Sequence, residues 1–215
     1  MSKSAIKYLA IAILYRLTLV VVISYSINSI SSEERIINQY FGFKANDYGY
    51  FIPPAENLYS KGLYSYRDNT PYAGRMPGYA ALYLSIRPFA NQTNTLFLII
   101  LIQTILGGIG AFYLAKSAYI LFKHKRAFII AYLLSFLYPV SVFFDYQTMT
   151  EGLSISLLSI AIYVTIKGIQ QSKLWMLAFA GLLLTWIVFL RPFLGLLLPS
   201  WGLYILWKTQ SDMLG

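Results

Sequence analysis

The 215-residue sequence contains no cysteine, one histidine and only eight acidic residues. The missing cysteines exclude a disulfide framework, and with a single histidine they leave no Cys/His metal site. Charged residues make up 12% of the chain, about half of the share in an ordinary soluble domain. No phosphate-binding loop and no dinucleotide fingerprint is present. We therefore predict no cofactor, and the sequence leaves a divalent metal ion open.

Apolar residues dominate the chain instead. The hydrophobic fraction is 58%, so too little polar surface is present to cover a water-soluble fold. A membrane crossing needs about 20 apolar residues, which gives this chain room for about six helices and one sizeable loop. We predict an all-α, multi-pass (polytopic) integral membrane protein that forms a single membrane domain over residues 1–215.

Six apolar runs are candidates for the membrane helices. Arg16 interrupts the first run, which is too long for a secretory signal segment and is kept as an uncleaved helix. Pro192 ends the fifth run directly after Arg191, because proline breaks a helix. The runs cover about residues 6–28, 95–115, 127–144, 152–167, 174–190 and 193–207. The last five of these form the predicted helix bundle over residues 93–208.

Residues 29–92 differ in composition from the rest of the chain. Five of the eight acidic residues lie there, together with prolines and many tyrosines. We predict one large, partly helical outer loop, with short helices over residues 32–41 and 49–60. Residues 62–77 are rich in Gly, Pro, Asn and Asp and are expected to be irregular.

The distribution of basic residues indicates the orientation. With a cytoplasmic N-terminus, nine lysines and arginines lie on the cytoplasmic side, as the positive-inside rule requires. The 29–92 loop is then periplasmic, luminal or extracellular, and seven of the eight acidic residues share that side. Because the net charge of +9 comes from small clusters between apolar runs, we expect no nucleic-acid partner.

Asp47 is the candidate catalytic residue. It lies early in the outer loop, where partial desolvation at the membrane surface raises the proton affinity of a carboxylate and suits a general base. The alternative is a helix cap, because aspartate accepts backbone N–H bonds at the start of a helix such as the one predicted from Gly49. The sequence does not separate these two roles, which are compatible.

Two arginines are candidates for binding a phosphate group. Arg75 lies in a Gly-Arg-Met-Pro-Gly-Tyr turn, and Arg191 lies at the predicted outer end of a helix. A guanidinium can hold phosphate through two parallel hydrogen bonds. The alternative for Arg75 is an interfacial side chain that extends to lipid headgroups. Arg16 is deeper, and its role stays open, although a cation in hydrocarbon costs about 2.5–3.5 kcal/mol and calls for a partner.

Acidic and aromatic residues complete the candidate site. Glu151 is a candidate for substrate binding, with helix-dipole stabilisation as the alternative, and the role of Asp145 stays open. Nine tyrosines lie between residues 40 and 83. They suit stacking against sugar rings, and they equally suit an interfacial belt. Of these, Tyr48 and Tyr79 are assigned to substrate binding.

Taken in chain order, these features resemble the GT-C superfold of membrane glycosyltransferases. The similar branch is that of the dolichyl-phosphate-mannose–protein mannosyltransferases, and the resemblance covers nearly the whole chain as the N-terminal part of such an enzyme. The features that carry it are one helix, a long outer loop with the early Asp47, the turn at 74–79, the segment 102–108, Tyr138-Pro139, Thr150-Glu151 and the segment 190–192.

The resemblance implies a function at the outer face of the membrane. A sugar would pass from a polyprenyl-phosphate donor to a glycan, lipid or protein acceptor, with membrane lipid around the protein. By the same resemblance, Asp47 activates the acceptor, Arg75 lies near the donor phosphate, and Glu151 is the acid that opens a later helix. Family members are usually longer, and the match of a second outer-loop acid is less clear.

Two other functions remain open at this point. One is a truncated, non-catalytic remnant or an assembly subunit of such an enzyme. The other is a lipid or solute transporter, which would show broken helices and polar groups near the membrane midplane rather than one large outer loop.

The orientation can be tested with single cysteines, since the chain has none of its own. We expect a cysteine at Asn69 to react with an impermeant thiol reagent in intact cells, and a cysteine at Lys125 to react only after the membrane is opened. Labelling at Lys125 but not at Asn69 would reverse the predicted orientation.

Overall fold

The computed structural model describes residues 3–30, 36–37, 42–45, 47–66 and 70–214. Within these ranges the protein is helical and contains three isolated β-bridges but no strand, so the predicted all-α class is confirmed. The helices are α1 (Lys3–Asn28), α2 (Tyr48–Lys61), α3 (Gly78–Ile86), α4 (Gln92–Phe122), α5 (Lys125–Leu137), α6 (Pro139–Asp145), α7 (Thr150–Gln170), α8 (Leu174–Leu190) and α9 (Leu197–Leu214). Short 3-10 turns cover Arg87–Phe89 and Pro192–Leu196.

Three helices are long and apolar enough to cross a membrane. These are α1, α4 and α7, with 26, 31 and 21 residues, against about 20 residues for a bilayer crossing. The helix α8 and the stretch Pro192–Trp207 are apolar but shorter. The chain is therefore a membrane protein by helix length and composition, and the predicted number of six spanning helices is not confirmed in the described ranges.

The predicted helix over 127–144 is broken in the structure. Residue Tyr138 has extended backbone angles, φ −71° and ψ 102°, and separates α5 from α6. The physical reason is that the residue before a proline is pushed out of the helical region. The break redirects α6, which packs against α1, α4 and α7.

Helix α4 lies at the centre of the bundle and packs against α1, α5 and α7. We call the end of the bundle that carries Asp47 and Glu151 the carboxylate end. There, Tyr48 accepts a hydrogen bond from Gln92 at the start of α4. The start of α7 and the end of α8 meet at the same end, where Arg191 contacts Thr150. The lysines of α4 and α7 lie toward the opposite end, where Lys116 packs over the Tyr163 ring.

The segment predicted as an outer loop contributes two helices to the carboxylate end. Helix α2 agrees with the helix predicted over 49–60, and α3 packs against α2, α4 and α8. The helix predicted over 32–41 falls mostly outside the described residues, and Ile36 forms a β-bridge to Phe43 instead of a helical turn. Asn69, proposed above for labelling, also lies outside the described residues.

A buried ion pair joins α1 to α6. Arg16 donates a hydrogen bond to Asp145 Oδ2, and the two side chains are only 5% and 1% exposed. The same guanidinium donates to Ser141 Oγ at 2.9 Å and to the Ser135 carbonyl at 3.3 Å. A Cβ at Gly107 would clash with both charged groups, so a glycine at this position of α4 leaves room for the ion pair. Arg16 thus has the partner that a cation in an apolar helix requires.

Removing one charge of this pair should strongly destabilise the bundle. Breaking a buried pair from one side typically costs about 3–5 kcal/mol, because the other charge stays buried alone. We expect Arg16→Met to lower the free energy of unfolding in mixed micelles by about that amount, and the double variant with Asp145→Leu to recover most of the loss. Arg126→Met, at an exposed position, is the control. A single variant as stable as the wild type would contradict this role of the pair.

Candidate functional site

A cavity of about 350 Å³ opens at the carboxylate end. Three of the predicted site residues, Asp47, Arg75 and Arg191, line it together. They come from three distant parts of the sequence, and Thr150 at the start of α7 completes the polar lining. The apolar and small residues of the lining are Phe51, Ala73, Gly74, Met76, Leu190, Pro192 and Phe193.

The backbone before α2 places Asp47 beside the start of α7. Phe43 N donates to the Tyr146 carbonyl at 2.9 Å, and Thr148 N donates back to the Phe43 carbonyl at 3.1 Å. Ala45 N donates to Thr148 Oγ1 at 3.2 Å. Two residues further on, Asp47 is held next to the connection between α6 and α7.

Asp47 lies at the N-cap position of α2, but its side chain makes no capping hydrogen bond. Its carboxylate faces Arg75 instead, with 3.3 Å between Oδ1 and the guanidinium nitrogen. The Arg75 guanidinium also lies 5.3 Å from the centre of the Tyr50 ring. Both charged side chains are well exposed, 43% for Arg75 and 33% for Asp47. The capping interpretation is therefore not what the structure shows, and the carboxylate is directed at the cavity.

The second ion pair of the site joins α7 to the end of α8. Arg191 donates to Glu151 Oε1 and, at 3.3 Å, to Thr150 Oγ1. Helix α8 ends at Leu190, because Pro192 cannot continue it. This ending turns Arg191 toward α7. Glu151 is in the first turn of α7, the position that the alternative of helix-dipole stabilisation requires. It is not among the residues that line the cavity, and its contact with the site is the ion pair with Arg191.

Gly78 explains how the Arg75 turn comes close to Arg191. A Cβ at this position would lie 2.6 Å from the Phe189 carbonyl oxygen and 2.9 Å from the Leu190 backbone nitrogen. Only a residue without a side chain allows this approach of α3 to the backbone of α8. The two arginines of the cavity are therefore brought together by a glycine of the predicted turn.

A brace of charged residues fixes α2 relative to α3. Arg87 binds both oxygens of the Glu56 carboxylate at 2.8 Å, and the Tyr83 hydroxyl donates to the same carboxylate. The hydrogen bonds from Arg87 hold the pKa of Glu56 below its usual value, although burial acts in the opposite direction. Helix α2 carries the cavity-lining Phe51, and α3 directly follows the turn with Arg75 and Met76, so the brace joins two parts of the chain that contribute to the lining.

Two predicted substrate-binding tyrosines lie elsewhere. Tyr48 is outside the cavity lining, where its hydroxyl accepts a hydrogen bond from Gln92. Tyr79 has no exposed surface, and its hydroxyl donates to Gln103 Oε1 at 3.1 Å. Burial thus leaves Tyr79 no surface for a substrate and makes it a packing residue of α3.

Gln103 is a buried residue whose role the sequence analysis did not identify. Its side-chain nitrogen lies 2.7 to 3.1 Å from the carbonyl oxygens of Phe144, Asp145 and Gln147. A lone glutamine within an apolar helix is a signal of such a buried network, since an unpaired amide in that place is costly.

The charged side chains around the cavity indicate which kind of ligand it can bind. Its two arginines face two carboxylates, and no cluster of three metal-ligating residues occurs in the described part of the chain. Both arginine side chains line the cavity and are partly exposed, 43% for Arg75 and 29% for Arg191. An anion can therefore reach both.

A methyl group at Gly78 should push the start of α3 away from the end of α8. We expect Gly78→Ala to lower the thermal stability of the detergent-purified protein by several degrees, because the added atom meets backbone and not a flexible side chain. Gly181→Ala is the matched control, since a Cβ there meets no atom within 4 Å. Equal melting temperatures of the two variants would contradict the close contact.

Comparison of the chain with protein-family models, with curated proteins and with solved structures found no match. The chemistry of the cavity is therefore argued from its own residues. Those residues are a partly exposed carboxylate, two arginines from different helix ends and a threonine hydroxyl, gathered at the carboxylate end of an apolar helix bundle.

Proposed function

We propose that this chain is a membrane glycosyltransferase that transfers a sugar from a polyprenyl-phosphate donor to an acceptor at the outer face of the membrane. The observation that carries the proposal is the meeting of Asp47, Arg75 and Arg191 at one cavity. The reaction needs a base for the acceptor hydroxyl and fixed cations for the phosphate, and these three residues supply both.

Each residue has a distinct task in this proposal. The acceptor oxygen forms a bond to the anomeric carbon of the donor sugar, and the bond from that carbon to the phosphate oxygen breaks. The acceptor proton passes to Asp47, and the negative charge that develops on the leaving phosphate is stabilised by Arg75 and Arg191. The product phosphate stays attached to the polyprenyl chain.

The ion pairs suggest how the donor prepares the base. Arg75 contacts Asp47 through one 3.3 Å hydrogen bond, which is longer than a usual charge-assisted contact. A phosphate oxygen that binds Arg75 would take the place of Asp47 on the guanidinium. The carboxylate then loses its contact with the guanidinium and is freer to accept the acceptor proton when the donor is bound.

The proposal includes the predicted topology. Helix α1 begins on the cytoplasmic side, and the carboxylate end of the bundle faces the periplasm or the extracellular space. This orientation agrees with the basic residues at the opposite end, and it lets a lipid-linked donor approach the cavity from the membrane.

A transporter is the second candidate, because three specific observations favour it. The helix predicted over 127–144 is broken at Tyr138, and the Arg16–Asp145 pair lies near the middle of α1. A second cavity, of about 340 Å³, reaches Arg16 between α4, α5, α6 and α7. Flux of a polyprenyl-phosphate sugar across proteoliposome membranes, without release of free polyprenyl phosphate, would support this function instead.

The test of transfer measures polyprenyl phosphate, which is the common product whatever the sugar or the acceptor. Purified protein in nanodiscs is mixed with polyprenyl-phosphate hexoses and with host membranes that supply acceptors. We expect Asp47→Asn to lower product release by about 10²- to 10⁴-fold, the usual contribution of a general base. Because the Asp47 side chain makes no capping hydrogen bond, the thermal stability of the Asp47→Asn protein should stay near that of the wild type.

Arginine replacements provide an independent check of the donor site. Arg191→Lys keeps the charge but not the two-pronged hydrogen bonding, so we expect about 10- to 100-fold slower release. Arg126→Lys, which is exposed and far from the cavity, is the matched control. An active Asp47→Asn protein would rule out Asp47 as the general base. A wild-type protein that releases no polyprenyl phosphate from any donor would favour the alternative of a non-catalytic remnant.

A further inference from the structure

Two lysines on neighbouring helices lie together at the end of the bundle opposite the carboxylate end. Lys116 on α4 and Lys167 on α7 are close enough for their positive charges to repel. Neither takes part in an ion pair within the described part of the chain, and both side chains are partly exposed. Two cations held together without a counter-charge favour the binding of an anion. We call these two residues the lysine pair.

Aromatic rings hold Lys116 in this position. Its Nζ lies 5.2 Å from the centre of the Phe112 ring, 5.9 Å from that of Tyr113 and 5.5 Å from that of Tyr163. The Tyr113 and Tyr163 rings are 4.5 Å apart and join α4 to α7 at this level. Cation–π contacts orient an ammonium group but leave its charge in place. The Lys116 charge is therefore positioned before an anion binds.

The second cavity lies on the same face of α7, closer to the carboxylate end. Ser159 lines it, and Tyr163 and Lys167 follow Ser159 by four and eight residues. Residues at this spacing lie on one face of a helix. With a rise of about 1.5 Å per residue, Lys167 is about 12 Å from the level of Ser159. One leaflet of a bilayer contributes about 15 Å of hydrocarbon, so a lipid chain that starts at Lys167 can reach the cavity.

The opening of this cavity faces lipid. Leu134 and Ile155 line it and are exposed at the outside of the bundle, and α7 is long and apolar enough to cross a membrane. The hydroxyls of Ser156 and Ser159 donate to carbonyl oxygens of α7 itself, at 2.7 and 2.9 Å. Arg16, the charged residue of the wall, is neutralised by the ion pair described above. A wall whose polar groups already have partners can pack against a hydrocarbon chain.

We propose that the lysine pair and the second cavity together bind an anionic glycerophospholipid. Its phosphate contacts Lys116 and Lys167, and one acyl chain runs along α7 into the cavity. Basic residues between membrane helices suit lipid phosphates, whereas a free phosphate ion would leave the apolar cavity unused. The inference does not rest on the proposed reaction, because neither lysine lines the cavity that contains Asp47. Under the proposed topology, the lipid belongs to the cytoplasmic leaflet.

Native mass spectrometry of the purified protein tests the headgroup part of this site. Phosphatidylglycerol and phosphatidylcholine with identical acyl chains are added in equal amounts, and the lipid that stays bound is measured. We expect the wild type to retain phosphatidylglycerol preferentially. Lys116→Gln and Lys167→Gln should each lower this preference by about fivefold, the usual contribution of one basic residue to the attraction of an anionic lipid.

Exposed lysines of the same end provide the matched controls. Lys125→Gln and Lys173→Gln remove one charge each at exposed positions and should keep the preference for phosphatidylglycerol. Asp47→Asn should bind the lipid like the wild type although transfer is lost. Failure of the lipid site and failure of the proposed reaction are therefore distinguishable.

Cross-linking from the acyl chain tests the cavity part of the site. Phosphatidylglycerol with a diazirine at the end of one chain is incorporated into nanodiscs with the protein, and the labelled peptides are identified. We expect label in segments 134–138 and 155–159. Ser159→Leu should fill the cavity and lower this label severalfold. Thr185→Leu, which replaces an exposed hydroxyl of the same kind on α8, is the matched control. If the Ser159→Leu protein does not fold, the positions labelled in the wild type decide.

Four results would overturn the phospholipid site. The first is a wild type that retains the two lipids equally. The second is a loss of preference in the exposed-lysine controls as large as in Lys116→Gln and Lys167→Gln, which would indicate a general surface charge. The third is label that lies outside the cavity. The fourth is displacement of phosphatidylglycerol by an equal amount of polyprenyl phosphate, which would assign the site to the donor lipid and support the transporter.

Discussion

The ion pair between Arg16 and Asp145 is the interaction on which the rest of this structure depends. It fixes the end of α6 against the middle of α1, although the two residues are 129 positions apart in the sequence. The residues directly after Asp145 then bind Phe43 through their backbone and Ala45 through the Thr148 hydroxyl, and so place Asp47. A buried charge pair near the centre of the bundle thus determines the position of a carboxylate at its end.

The cavity itself is built from helix ends and not from helix faces. Arg191 follows the end of α8, Thr150 begins α7, Arg75 precedes α3, and Asp47 precedes α2. Ends suit this purpose because side chains there leave the packed, apolar surface and reach water. The glutamate–arginine brace joins α2 to the end of α3, and the close contact at Gly78 joins α3 to the end of α8, so the packed helices support a polar site.

The sequence predicted the helical class, the helix α2, the end of α8 at Arg191-Pro192 and the need of Arg16 for a partner. It did not predict that partner, because nothing local distinguishes Asp145 from other acidic residues and the contact is formed by tertiary packing. The division of 127–144 into α5 and α6 depends on Pro139, because a proline removes the preceding residue from the helical region even within a long apolar run. The substrate-binding role predicted for Tyr79 differs from its buried position, because a tyrosine is equally suited to a core and to a sugar site and only packing decides between them.

The long sequence separation of Arg16 and Asp145 also bears on how the protein is made. During synthesis, α1 emerges first, and its guanidinium enters the membrane with a penalty of about 2.5–3.5 kcal/mol and no partner. The compensating carboxylate exists only after α4 and α5 have been translated. The first helix therefore either stays close to the insertion machinery or waits in the bilayer with its arginine extended toward a surface. Final assembly of the bundle is in this way linked to the arrival of α6, and an incomplete chain that ends before it carries an uncompensated charge.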